Sequence, residues 1–316
     1  MTNVEFTSSN KIPAVLPIAV HAERNQLDRQ RLQILLYSLK KKEAHQWLEQ
    51  LYIITPDSQK QEMEKQCASI DYLKIKILGE EELFPEFRAW VSTRFNNYRK
   101  QMLIKLGIAK IIETEFFLTL DSDIICLQKI HPELLIVNGK ALMDSDDKNY
   151  FPGWWESSAE VLSTSTELDI PGMAVTPAIL SRTICKYLIA EVEDKYQKNW
   201  ISALMEMERQ GKDKYWTEYS LYFLCAQKRN CLTKYHLDRF DNRNISLIDP
   251  NYTIWLDSQF GKLETFKQLP PPSGLFAVLQ GASSISLEMV LDHIHSMLQI
   301  DSQDEELLKL REDILS

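Results

Sequence analysis

The stretch EFFLTLDSDIICL, residues 115–127, places two carboxylates, Asp121 and Asp123, one residue apart at the end of an apolar run. A short apolar run that ends in polar turn residues reads as a buried strand. The acid pair then falls where that strand leaves the sheet. In open α/β sheets ligands bind at the carboxyl ends of the strands, so the position of this pair says more than its composition.

Toward the N-terminus, strand and helix signals alternate. NNYRKQMLIKLGIAKIIET, directly before the quoted stretch, carries Met102, Leu103, Leu106, Ala109 and Ile112 on one helical stripe. Before it, YLKIKIL (residues 72–78), LEQLYIITP (48–56) and PAVLPIAV (13–20) read as strands, and LDRQRLQILLYSLKK (27–41) has the i, i+3, i+4, i+7 spacing of an amphipathic helix. Such alternation predicts a mostly parallel sheet flanked by helices. After Asp123 the regularity fades. KALMDSDD (140–147) suggests a short strand ending in acids, and FPGWWESSAEVL an aromatic loop entering a helix. From GMAVTPAILSRTICKYLIAEVEDKY onward helices are expected to dominate, up to a strand at LFAVLQ after the QLPPPSG break and a last helix from about Ser286. The division is expected near residue 150, with residues 1–150 a regular α/β half and residues 151–316 a more helical half with a returning strand, packed with the first as one unit.

Composition narrows the function. With 316 residues, 44% of them hydrophobic, the chain can bury a large core. Its formal net charge of −9 argues against nucleic acid as a partner. The five cysteines show no C-x-x-C spacing and read as reduced thiols, and no apolar run approaches a membrane span. These features fit a cytoplasmic protein without a transmembrane segment, with attachment to the inner face of the membrane left open.

An i, i+2 aspartate pair in a turn offers hard oxygen ligands to Mg²⁺ or Mn²⁺, and such an ion can bridge a substrate diphosphate and offset charge on a departing phosphate. The plainer reading is a polar strand-to-turn junction with one aspartate capping backbone N–H groups. Here the chain resembles a known class. An α/β half with FLTLDSD in mid-chain, followed by a mixed acceptor half, resembles the GT-A glycosyltransferases, whose fold is Rossmann-like. More narrowly, YRKQMLIKLGIAK, FFLTLDSDIIC, GMAVTPAILSR, KYWTEYSLY and GLFAVLQGASS, spread over residues 98–284, resemble an uncharacterised bacterial glycosyltransferase-like family. The resemblance implies a nucleotide-diphosphate-sugar donor, a hydroxyl acceptor such as a glycan, a role such as bacterial surface glycan synthesis, and Mn²⁺ or Mg²⁺ held by Asp121 and Asp123.

Other residues take expected roles around the pair. Arg99, Gln101 and Lys105 lie on the helix before the aspartate strand, Gln101 and Lys105 one turn apart, and are candidates for the donor phosphates; otherwise they are a solvated helix edge. In the fold class that the chain resembles, the first strand's exit, here with His21, Glu23 and Asp28, contacts the nucleotide base and ribose; otherwise His21 is a satisfied polar residue. Trp154, Trp155 and Trp216 have flat apolar faces suited to stacking on an acceptor sugar, or else belong to the core. Glu218 is either the base that takes the acceptor's proton, in an aromatic setting that would raise its pKa, or an acid in the first turn of a helix capped by Thr217. Asp123 joins it as a catalytic candidate. The acids of DSDD (144–147) read as a solvated loop, and LQGASS (279–284) as a weak phosphate loop. In many GT-A enzymes a C-terminal histidine completes the metal site; His236, His293 and His295 are available and no motif chooses among them.

Two other functions share these features. A haloacid-dehalogenase-type phosphatase also sets D-x-D after an apolar strand, but there the pair usually lies early in the core domain, and Ile125 stands where that family usually has threonine or valine. A nucleotide- or glycan-binding protein without turnover is the third.

Overall fold

The structure, a computed structural model, describes residues 11–18, 25–89, 94–210, 215–238, 245–280 and 285–315. Strands β1 (Ile12–Pro17), β2 (Leu48–Thr55), β3 (Ile75–Gly79) and β4 (Phe116–Thr119) are all parallel and lie in the order β3-β2-β1-β4. Successive side chains of a strand point to opposite faces. Val15, Ile54 and Phe117 therefore enter one core, while Leu16, Ile53, Phe116 and Leu118 enter the other. Helices cover both faces, as a parallel sheet requires. Helix α1 (Asn25–Lys41) contributes Leu32, Leu35 and Leu36 to the second core, and α3 (Arg94–Gly107), which follows the short α2 (Lys60–Cys67), contributes Met102, Leu103 and Leu106 to the first.

The chain order β1, β2, β3 builds outward on one side, and β4 then returns to the other side of β1. The sheet thus has its topological switch between β1 and β4, and in open α/β sheets ligands bind beyond the carboxyl ends at such a switch. The loop carrying Asp121 and Asp123 leaves β4 at that switch. It leads into β5 (Ile124–Cys126), which pairs antiparallel with a late strand.

After β6 (Lys140–Met143) and α4 (Pro152–Leu162) comes a departure from the expected helical half. Residues Ala178–Ser181 form strand β7, antiparallel to β4 at the edge of the main sheet. The letters AIL and the capping Ser181 run straight into helix α5 (Arg182–Tyr196), where strand and helix cannot be told apart by periodicity. Helices α6 (Trp200–Gln210) and α7 (Glu218–Lys228) then pack on the first core. Strand β8 (His236–Asp238) pairs with β6, and β9 (Ser246–Ile248) with β10 (Gly274–Val278), which in turn pairs with β5. Helices α8 (Leu287–Leu298) and α9 (Glu305–Leu315) close the chain. The pairing of β10 with β5 continues one residue further, the Leu279 N–H donating to the Asp123 carbonyl at 2.9 Å. The five cysteines are free and buried, and among the described residues no helix is long and apolar enough to cross a membrane.

Candidate active site

Asp121 and Asp123 are both half-buried on the loop that leaves β4 at the switch. Behind them stands Lys105, from the last turn of α3. It occupies the same apolar stripe as Met102 and Ala109, so its ammonium is carried into the interior and only 3% of the residue is exposed. A buried ammonium must be paired. Its Nζ lies 2.9 Å from Asp121 Oδ1 and 3.2 Å from Glu218 Oε1, and donates to Thr176 Oγ1 at 2.7 Å. An ammonium has three N–H groups, and these partners use all three.

Glu218 is the first residue of α7 and is only 3% exposed. Thr217 caps that helix, its side chain accepting from the Ser220 N–H at 3.1 Å while the Thr217 N–H donates to Ser220 Oγ at 3.1 Å. The capping arrangement read from the sequence is present, and the carboxylate it fixes is turned onto Lys105. Tyr219, next along, shares hydrogen bonds with Thr176 Oγ1 at 2.5 Å and Thr119 Oγ1 at 2.9 Å. Burial alone would push the Lys105 ammonium toward its neutral form. The carboxylates of Asp121 and Glu218, with Tyr219 beside them, more than offset that and hold its pKa well above the ordinary lysine value. Burial raises the Tyr219 phenol as well, so it stays protonated.

The other expected residues divide. Gln101 is half-buried and makes no side-chain hydrogen bond among the described residues. Arg99 lies inside rather than along a ligand groove. At 1% exposed, it donates to the Trp216 carbonyl at 2.5 Å, with its guanidinium carbon 4.9 Å from the Trp216 ring centre and 5.8 Å from the rings of Tyr98 and Tyr215. Trp216 is fully buried under that guanidinium, and Trp155 is buried edge-on against Phe223, so both rings form walls. Trp154 is half-buried and stacks on Phe151.

Asp144 departs from the solvated loop expected for DSDD. It is buried and accepts from Ser246 Oγ at 2.6 Å and the Ile248 N–H at 3.0 Å, while Asp146 and Asp147 are exposed. His236 is buried and shares a 2.6 Å hydrogen bond with the Tyr222 hydroxyl; burial holds its imidazole down to about 4. His293 and His295 lie on α8. Among the described residues no group of three His, Cys, Asp or Glu side chains is placed to hold a metal. His21, Glu23 and residues 281–284 of the LQGASS loop lie outside the described residues, and Asp28 lies in the first turn of α1.

Thr176, Tyr219 and Thr119 are the members of the cluster that the sequence reading passed over. Their motifs, GMAVTPAILSR and KYWTEYSLY, are in plain view, but nothing local says that two hydroxyls and a phenol converge on Lys105.

Residues 9–302 match the family of unknown function DUF6492. The chain belongs to DUF6492. No curated protein matches this DUF6492 member in sequence. Its fold is similar to the apo form of mouse xyloside xylosyltransferase 1, at 10% identity and a TM-score of 0.50, covering 87% of this chain and 100% of that one. It is also similar to an active-site mutant of LgtC, at 8% identity and a TM-score of 0.51, covering 96% of each chain. A galactosyltransferase LgtC in complex with donor and acceptor sugar analogues aligns at 9% identity with a TM-score of 0.48, over 95% of this chain and 100% of that one. Likeness at such identities speaks to fold, and the DUF6492 member has the GT-A-like architecture expected from its sequence: a mostly parallel sheet flanked by helices.

Proposed function

We propose that this DUF6492 protein is a metal-dependent glycosyltransferase that moves a sugar from a nucleotide-diphosphate donor to a hydroxyl acceptor. The observation that carries this reading is the Lys105 cluster: a buried ammonium holds the Asp121 carboxylate at the sheet's switch point, with Asp123 two residues further on.

The residues present suit a divalent ion. Asp121 and Asp123 are hard oxygen donors on one turn, both half-buried. Mg²⁺ and Mn²⁺ at diphosphate sites need only one or two carboxylates, the remaining positions going to phosphate oxygens and water. When bound, such an ion would offset the charge that develops on the departing nucleotide diphosphate. Lys105 fixes the direction of Asp121, and Glu218 acts through Lys105 as a positioning residue. That assignment suits the geometry better than a proton-accepting role, since the Glu218 oxygen is already engaged by the ammonium. Arg99 packs inward against Trp216, and Gln101, two residues further along α3, remains the candidate for the donor phosphates.

Calorimetric titration of uridine, guanosine and cytidine diphosphates, with and without Mn²⁺, tests the reading. One nucleotide is expected to bind only with the metal and to lose at least about tenfold in affinity in Asp123→Ala. A folded protein that binds none of the three sinks the proposal, and metal-dependent release of phosphate from an aryl phosphate would replace it with the phosphatase reading.

A further inference from the structure

Tyr150 and Phe151 are 66% and 55% exposed, and the Phe151 ring lies 4.1 Å from that of Trp154 at an interplanar angle of 13°. Two stacked rings at the surface are costly to leave against water and mark a contact face.

The loop that carries them is firmly held. The Asp147 carboxylate accepts from the Asn149 N–H at 2.8 Å, and Asn149 Nδ2 donates to the Leu168 carbonyl at 3.4 Å. Lys148 turns inward, its ammonium donating to the Glu167 carbonyl at 2.9 Å and lying 5.0 Å from the centre of the Trp155 ring. Ser145 and Asp146 pair with Met173 and Gly172. Trp155 rests directly on Gly172, where an added Cβ would fall 2.2 Å from the indole. Thr176, four residues beyond Gly172, is the hydroxyl that binds Lys105. Four extended residues span at most about 14 Å, so Gly172, the floor beneath Trp155, lies within that distance of Thr176.

Charge then selects the occupant. Between residues 141 and 181 the only lysine or arginine is Lys148, which is buried, whereas Asp146, Asp147, Glu156 and Asp169 are exposed. Such a rim repels uronates, phosphates, sialic acids and anionic lipid headgroups, and it accepts hydrogen bonds from hydroxyls. We infer that Phe151 and Trp154, with Tyr150 beside them, form the acceptor platform, and that the acceptor presents an uncharged sugar ring whose C–H face stacks on these aromatics. This inference rests on the transferase reading and names its acceptor class.

The test is binding of labelled protein to an array of neutral and acidic glycans, for the wild type and Phe151→Ala, with metal-dependent nucleotide binding and sedimentation measured on the same samples. Binding is expected to be confined to neutral glycans and to fall about tenfold in Phe151→Ala, with nucleotide binding unchanged. Three results overturn the platform: preference for acidic glycans, indifference to Phe151→Ala, or nucleotide binding with no neutral glycan bound. A dimer that dissociates on Phe151→Ala also overturns it, by showing that a second copy covers the face. Loss of nucleotide binding in the wild type, by contrast, would count against the transferase reading itself.

Discussion

Glu218 and Asp249 are both almost inaccessible carboxylates, 3% and 0% exposed, yet one meets an ammonium and the other a ring of backbone amides. Asp249 Oδ1 accepts from the N–H groups of Asn251 and Tyr252 at 2.9 and 3.4 Å, and Oδ2 from those of Ser273 and Gly274 at 2.7 and 2.9 Å. This closes the loop between β9 and β10, and it leaves no room at Gly274, where a Cβ would fall 2.4 Å from the Asp249 nitrogen. Glu218 instead shares Lys105 with Asp121, whose side chain is 34% exposed. A buried charge satisfied by backbone serves the architecture. A buried charge that shares its counter-ion with a solvent-facing group is coupled to whatever binds there.

The largest effect is expected for Lys105→Met, which leaves Glu218 buried beside Asp121 with no counter-charge. We expect a loss of about 3–5 kcal/mol in urea unfolding, together with loss of metal-dependent nucleotide binding. The double variant Lys105→Met/Glu218→Gln should recover part of the stability, and the cycle built from it measures the coupling. If Lys105→Met cost no more than a change at Asp249, the contrast between the two carboxylates would collapse.

Acid extends the contrast to a second buried group on α7, where Tyr222 holds His236. The folded-state value of His236, about 4, lies below its ordinary 6.5. The neutral buried form therefore adds stability in full above pH 6.5, and this contribution is lost as pH falls toward 4. The shift amounts to about 3 kcal/mol over that window. Unfolding measured from pH 7 to 4 should show this slope, and His236→Gln should flatten it. A slope that persists in the variant would assign the acid sensitivity to other groups.

The smallest effect is expected at Asp249→Asn. The amide must turn its NH₂ toward one of the two pairs of N–H donors, which costs about 2 kcal/mol. Nucleotide binding should stay unchanged. Altered binding would mean that the β9–β10 loop is coupled to the site and is not merely part of the frame.

Much of the frame was legible in the letters. Runs such as PAVLPIAV and LEQLYIITP could only be buried strands between amphipathic helices, and the place of Asp121 at a strand exit followed from that. Strand β7 was not legible, because four residues abutting a helix, three of them apolar, carry no period of their own and their partner, Phe116–Thr119, is distant in sequence. Lys105 did carry a signal. It sits three residues after Met102 and four before Ala109, inside the apolar stripe, where a cation must find a buried anion. Reading it as a surface phosphate ligand weighed its charge and overlooked its phase on the helix. Arg99, three residues before Met102, follows the same rule and ends under Trp216.

The alternating α/β order, the aspartate pair at the fourth strand's exit and the Thr217 cap follow from the chain alone, because periodicity and capping are local properties. It took the folded molecule to bring Lys105, Thr176 and Glu218 together behind Asp121, and to join Phe151 to Trp154 at the surface while sealing Trp155 and Trp216 inside. Burial and ion pairing depend on which segments fold against one another, and no local spacing encodes that.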